Sequence, residues 1–210
     1  MTHDHDHDHD HPHPLQTDHA EPSSHYELMG VALNQLLQEK GVYTAAELRE
    51  QIEAVEAVDV QTHGARVIAR AWTDDAFKAA LLDDAYAAVQ SMGLDAGPAE
   101  LTALENTADV HNVVVCTLCS CYPRMLLGRP PLWYKSAAYR SRVVKEPRAV
   151  LHEFGTDIGD DVQVRVHDST ADLRYIVLPS RPAGSESMSE DELAALVTRD
   201  AMIGVCELSL

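Results

Sequence analysis

Apolar residues recur at helical spacing only beyond residue 25. Ahead of them the chain reads HDHDHDHDHPHP over residues 3–14, with His19 and His25 following, and offers no apolar face. Such a segment cannot bury enough surface to fold, so residues 1–25 are expected to be a disordered His/Asp-rich tail. Leu28, Met29, Ala32, Leu33, Leu36 and Leu37 then fall on one helical stripe, opened by the capping box Ser24 with Glu27 and stopped by Gly41. Thr44 with Glu47 repeats the device for a second helix through about residue 57. Residues 64–72 and 74–92 read as two further helices, with Gly93 as the cap of the last.

The pattern changes at Leu94. Gly97 and Pro98 mark a loop, and β-branched runs at 113–115, 162–166 and 175–178 read as strands. Helical pieces are expected at 133–144 and 147–154, and Ser189 with Glu192 caps a final helix. The predicted class is α+β: a helical N-terminal arm, residues 26–93, followed by a mixed α/β domain with short strands, residues 94–210.

A length of 210 residues suits one domain with an appendage. The net charge of -18 argues against nucleic acid, whose phosphates need a basic face. No run approaches the roughly 18 apolar residues of a membrane span, so a soluble, cytoplasmic protein is expected. Aromatic residues make up only 5%, which predicts a thin core partly covered by a partner subunit. Eight of the twelve histidines lie in the tail, where alternating imidazole and carboxylate would loosely trap cobalt, nickel or zinc.

The chemistry concentrates in VCTLCSCYP, residues 115–123. Cys121 can chelate one ion through its sulfur and its own amide nitrogen, the amides of Ser120 and Cys121 close a second ring, and the Cys119 sulfur closes a third. Cys116 then supplies a further sulfur along the axis and one position stays open. Amide nitrogen with thiolate suits a small trivalent ion, cobalt(III) or iron(III), better than zinc, which prefers a tetrahedral set. A zinc site would have to borrow His111 or the distant Cys206, and an iron–sulfur cluster would need Cys206 as its fourth ligand. A disulfide framework is disfavoured by few cysteines set too close together.

The strings VHNVVVCTLCSCYP, GRPPLWYKSAAYRSRVVKEPRAVLHEFG, VHDSTADLRYIVLPSRPAG and LVTRDAMIGV resemble the nitrile hydratase α subunit and its relative, the thiocyanate hydrolase γ subunit. The resemblance implies a metal centre built from Cys116, Cys119 and Cys121 through sulfur and from Ser120 and Cys121 through nitrogen. Cys119 would be oxidised to sulfinate and Cys121 to sulfenate, their oxygens clamped by arginines of a β-type subunit, carried on one chain or two. Thr117 and Tyr122 match the cobalt branch, so Co(III) is expected ahead of Fe(III). Cys121, Ser120, Asp168 and Asp172 become the candidate catalytic residues, with Arg174 following as in the family, and a small nitrile is the expected substrate. Arg124 and Met125 depart from the usual Y-P-W-P and look more like the thiocyanate hydrolase γ subunit. A protein that handles cobalt or nickel without turnover is the reading from a different class.

Overall fold

The structure, a computed structural model, describes residues 24–57, 60–119 and 121–210. The histidine-rich tail over residues 3–14, His19, and Ser120 lie outside the described residues. The chain divides into two compact units, one ending at Ala57 and the other beginning at Val58.

The first unit holds α1 (His25–Glu39) and α2 (Ala45–Ala57). Both capping boxes form. The Ser24 hydroxyl accepts from the Glu27 amide at 3.2 Å while Glu27 accepts from the Ser24 amide at 3.0 Å, and Thr44 and Glu47 do the same at 3.1 and 2.7 Å. No residue of α1 is buried, and Leu28, Met29, Leu33 and Leu36 of its apolar stripe are exposed.

The second unit is the mixed helix-and-strand layer expected. Its elements run α3 (Val60–Thr73), α4 (Asp75–Asp83), α5 (Ala85–Ser91), β1 (Glu100–Glu105), β2 (Val110–Val115), α6 (Arg124–Leu127), α7 (Leu132–Lys135), α8 (Ala137–Lys145), α9 (Pro147–Glu153), β3 (Gln163–Asp168), β4 (Leu173–Leu178), α10 (Glu190–Leu196) and α11 (Arg199–Ile203). The strands form two parallel pairs, β1 with β4 and β2 with β3. Parallel neighbours need a long crossover. For β2 and β3 that crossover carries α6 to α9, and the cysteine run is its first segment.

Two expectations are corrected here, and one strand was not foreseen. The single helix expected over 74–92 is two helices, because the Asp84 side chain turns aside to accept the Ala87 amide at 2.9 Å and caps a new start. Ser136 breaks the helix expected over 133–144 in the same way, accepting from the Tyr139 amide at 3.1 Å. The loop opened by Gly97 and Pro98 leads straight into strand β1. Its Glu, Leu and Ala residues have weak strand preference, but pairing with β4 and burial of Leu101 and Ala103 decide the conformation.

The core joins Val67, Ile68 and Leu81 of the helices to Val113, Val114 and Val115 of β2 and to Ile176, Val177 and Leu178 of β4. Two polar residues are buried in β2, and both are satisfied. His111 Nε2 lies 2.8 Å from the Gly204 carbonyl, while Asn112 donates to the Glu105 carbonyl at 2.8 Å and accepts from His167 Nε2 at 2.9 Å. Gly204 caps α11 with φ +87° and packs so tightly on the Asn112 carbonyl that no side chain fits between them.

Candidate metal centre

β2 ends at Val115, and its register partner Val115↔Asp168 puts the end of β3 beside it. The cysteine run therefore leaves the sheet where the β3–β4 turn also begins. Asp168 joins the two, its exposed carboxylate accepting from the Thr117 amide at 2.9 Å and the Thr117 hydroxyl at 2.5 Å. The Ser169 amide donates to the Val115 carbonyl at 2.7 Å. A turn fixed at both strand ends is a rigid frame for side chains that must converge.

Converge they do. Cys116 is buried, Cys121 half-buried and Cys119 exposed, and none of the four cysteines forms a disulfide. The Cys116 and Cys119 sulfurs are 3.3 Å apart, those of Cys119 and Cys121 are 3.0 Å apart, and all three lie within 4.8 Å of one another. With a metal–sulfur bond of about 2.3 Å, two sulfurs at right angles on one ion stand about 3.3 Å apart, against about 3.8 Å at the tetrahedral angle. The observed separations match the right-angled case, as a square-based donor set requires. No histidine, and not Cys206, joins the cluster among the described residues. These sulfur spacings suit one metal ion with right-angled donors better than tetrahedral zinc.

The electrostatics follow from burial. Desolvation, with hydrogen bonds from Cys119 and Cys116, pushes the Cys121 thiol up to about 12, while the Arg174 charge pulls the other way. Arg174 is anchored at the same turn, donating to the Thr170 carbonyl and to the Leu173 carbonyl at 3.3 Å. Asp172 is exposed on that turn; its amide bonds the Thr170 hydroxyl at 3.3 Å and its carbonyl accepts the Glu100 amide at 2.8 Å. The structure thus brings Cys116, Cys119, Cys121 and Asp168 onto one loop system, and puts Asp172 four residues farther along it. Arg124 stands exposed in the first turn of α6, three residues past Cys121.

Behind the cysteines lies a group of residues to which the sequence assigned no role. Tyr134 is wholly buried and donates to the Cys121 carbonyl at 2.9 Å; Tyr139 donates to the Val114 carbonyl at 2.8 Å. Trp133 and Phe154 complete an edge-to-face cluster, with Trp133 centroids 4.9 Å from Tyr139 and 4.7 Å from Phe154. Burial drives all three phenols, Tyr122, Tyr134 and Tyr139, well above the usual tyrosine range, so each remains a donor. The signal available in the sequence was density: a chain poor in aromatics sets three of them within residues 133–139.

Comparisons with known proteins show the family to which the chain belongs. Residues 24–206 match the family described as nitrile hydratase, alpha chain. The α subunit of the high-molecular-weight cobalt-containing nitrile hydratase of Rhodococcus rhodochrous is 47% identical over 191 residues, covering 90% of this chain and 94% of that protein. The thiocyanate hydrolase γ subunit of Thiobacillus thioparus is 41% identical over 197 residues, covering 88% of this chain and 81% of that one. Among solved structures, a double mutant of the Fe-type nitrile hydratase of Comamonas testosteroni Ni1 superposes with a TM-score of 0.79 at 42% identity, covering 88% of this chain and 90% of that chain. Cobalt and iron are thus both represented among the relatives. This chain belongs to the nitrile hydratase α-chain family.

Proposed function

We propose that the chain is the metal-bearing α subunit of a cobalt-type nitrile hydratase, adding water to a small nitrile to give the amide. The observation that carries this reading is the gathering of three cysteine sulfurs at the end of a buried strand, with Cys119 at right-angle spacing from both of the others. Cys116, Cys119 and Cys121 would hold the ion through sulfur, and Ser120 and Cys121 through main-chain nitrogen, a set suited to Co(III) and next to Fe(III). When bound, such an ion supplies Lewis acidity toward the C≡N carbon.

The chain's own groups do the rest. Buried Cys116 would stay a thiolate, whereas Cys119 as sulfinate and Cys121 as sulfenate would put oxygen at the rim; either hydroxide or the Cys121 sulfenate oxygen would attack the nitrile carbon, and in the second case water would replace the oxygen that leaves in the amide. By family resemblance, Ser120 would orient the oxidised sulfurs. Asp168 keeps the loop in place through Thr117. Asp172 is carried over as a second acidic group of the site by family resemblance. The exposed Cys119 and the neighbouring Leu118, 90% exposed, leave the rim open to a β-type subunit, on one chain or two, whose arginines would clamp the oxygens. The exposed apolar stripe of α1 also supports a partner subunit.

Co-expression with the partner in cobalt medium tests the reading. We expect one cobalt per chain, a cysteine peptide carrying two added oxygens on Cys119 and one on Cys121, and amide formed from nitrile. A complex holding zinc, or holding cobalt but hydrating no nitrile, overturns it.

Arg124 favours a second reading, the γ subunit of a thiocyanate hydrolase. A free-standing guanidinium three residues beyond Cys121 suits an anionic substrate. Release of carbonyl sulfide and ammonia from thiocyanate, with no amide from nitriles, would decide for it.

A further inference from the structure

One side of the cysteine run is held almost entirely through its carbonyl groups, and by residues of two adjoining helices. Tyr134 of α7 donates to the Cys121 carbonyl at 2.9 Å. Arg140 of α8 shares one Nη1 between the Thr117 and Cys119 carbonyls, at 3.4 Å each. Its Nε is buried with no partner, so the guanidinium faces the loop with donor capacity to spare. The two residues act on either side of Ser120. Because each peptide unit is planar, the held Cys119 carbonyl fixes the nitrogen that follows it, one of the proposed donors, whereas the held Cys121 carbonyl fixes the unit leading to Tyr122 and so the direction in which the chain leaves the last sulfur ligand.

A three-cysteine loop joined to the sheet only at its first residue has many backbone states, and ordering each residue costs about 1–2 kcal/mol. Thr117 is tied by Asp168 and Cys116 sits in the core, so the early part of the loop is already ordered. Cys119 and Cys121 are not in the core. Their sulfurs nevertheless converge. Arg140 bonds the Cys119 carbonyl, the Cys119 amide donates to the Cys116 sulfur at 3.3 Å, and Tyr134 bonds the Cys121 carbonyl.

We propose that Tyr134 and Arg140 are positioning residues that preset the cysteine run for its metal, holding the carbonyls of Cys119 and Cys121 so that the donors are aimed before the ion arrives. This rests on the cobalt-centre reading above. Neither residue touches substrate. Tyr139, which bonds the strand carbonyl of Val114 ahead of the loop, is the internal control: it belongs to the same aromatic cluster and restrains no residue between the cysteines.

The test uses the assembled complex with Tyr134→Phe, Arg140→Met, Arg140→Lys and Tyr139→Phe, each expressed over a series of cobalt supplies. Cobalt per chain and the near-ultraviolet sulfur-to-metal absorption band are read, with thermal midpoints alongside. Loss of a residue that orients a metal ligand weakens metal capture by roughly 10–100-fold. Tyr134→Phe and Arg140→Met are expected to need at least about tenfold more cobalt for half occupancy, with a displaced band. Arg140→Lys, which keeps a donor in reach, recovers most of the loading, and Tyr139→Phe lowers the thermal midpoint while leaving band and loading curve unchanged. Equal loading and an identical band in Tyr134→Phe and Arg140→Met overturn the proposal alone, and so does equal loss in Arg140→Met and Arg140→Lys for the arginine. Should Tyr134→Phe fail to assemble, the half-buried Arg140 pair decides. A wild-type complex that takes up no cobalt overturns the function reading and this proposal with it.

Discussion

Replacing Gly204 by alanine should cost far more than replacing Gly93, although both glycines have positive φ, +87° and +71°. A side chain in the left-handed region costs about 1–2 kcal/mol. The more restricted unfolded chain returns about 0.4–1 kcal/mol of that. At Gly93 the added Cβ meets nothing within 4 Å, so the net change there is about 0–1.5 kcal/mol. At Gly204 the Cβ would fall 1.9 Å from the Asn112 carbonyl oxygen and 3.1 Å from the Val113 Cα, both backbone atoms that cannot rotate away. That is about 1.5 Å short of normal contact. Either β2 or the end of α11 must move, and overpacking of this kind costs about 1–3 kcal/mol more. The movement also strains the 2.8 Å bond from His111 to the Gly204 carbonyl. For a chain of this size each kcal/mol shifts the melting temperature by about 2–4 °C. Thermal and urea unfolding of the two variants at matched concentration should therefore separate them by roughly 2–12 °C, with Gly204→Ala lower. Coincident midpoints would refute the close approach between α11 and β2.

Other outcomes follow from the same contacts. Cys119→Ala should leave the complex without chelator-resistant cobalt, as metal analysis after dialysis against a chelator would report; full retention of cobalt would remove this residue from the centre. Burial, with the nearby Arg165, lowers the His167 pKa, so the unfolded chain binds the proton more readily. Its contribution is complete above the unfolded value of about 6.5 and is lost as pH falls below it. The exposed His152, raised by its bond to Asp157, runs the opposite way, stabilising below that value and losing its contribution as pH rises through its folded pKa. His167→Gln should therefore flatten the acid limb of the urea-midpoint profile, and an unchanged limb would show that His167 does not shape it. Arg124→Gln should raise the ratio of nitrile to thiocyanate turnover, measured as amide against carbonyl sulfide; a constant ratio would remove the charge from any role in selection.

Much of this was legible because capping chemistry is local. Ser24 with Glu27, Thr44 with Glu47 and Ser189 with Glu192 each form the reciprocal bonds their spacing implies, since three residues suffice to specify them. The convergence of the Cys116, Cys119 and Cys121 sulfurs was legible for the same reason, since all three fall within six residues. What stayed hidden depends on distant partners. β1 is a strand because β4 lies beside it, and nothing in Glu100 to Glu105 announces β4. The hold of Tyr134 on the Cys121 carbonyl spans thirteen residues, and that of Asp168 on Thr117 spans fifty-one. Asp84 and Ser136 were visible as cap-forming residue types, yet only packing decides whether such a residue interrupts a helix or rides on it.

The pairing of β2 alongside β3 in the same direction sorts their flanking segments by end. Val115 and Asp168 finish together, whereas Val110 and Gln163 start together a full strand length away. Insertions ahead of the two strands, near residues 106–109 or 155–162, fall a full strand length from the cysteines. A single extra residue between Val115 and Thr117, or between Val166 and Asp168, would instead rotate the carboxylate away from the loop it secures. Descendants of this chain are thus free to diversify at one pole and bound to stay the same at the other.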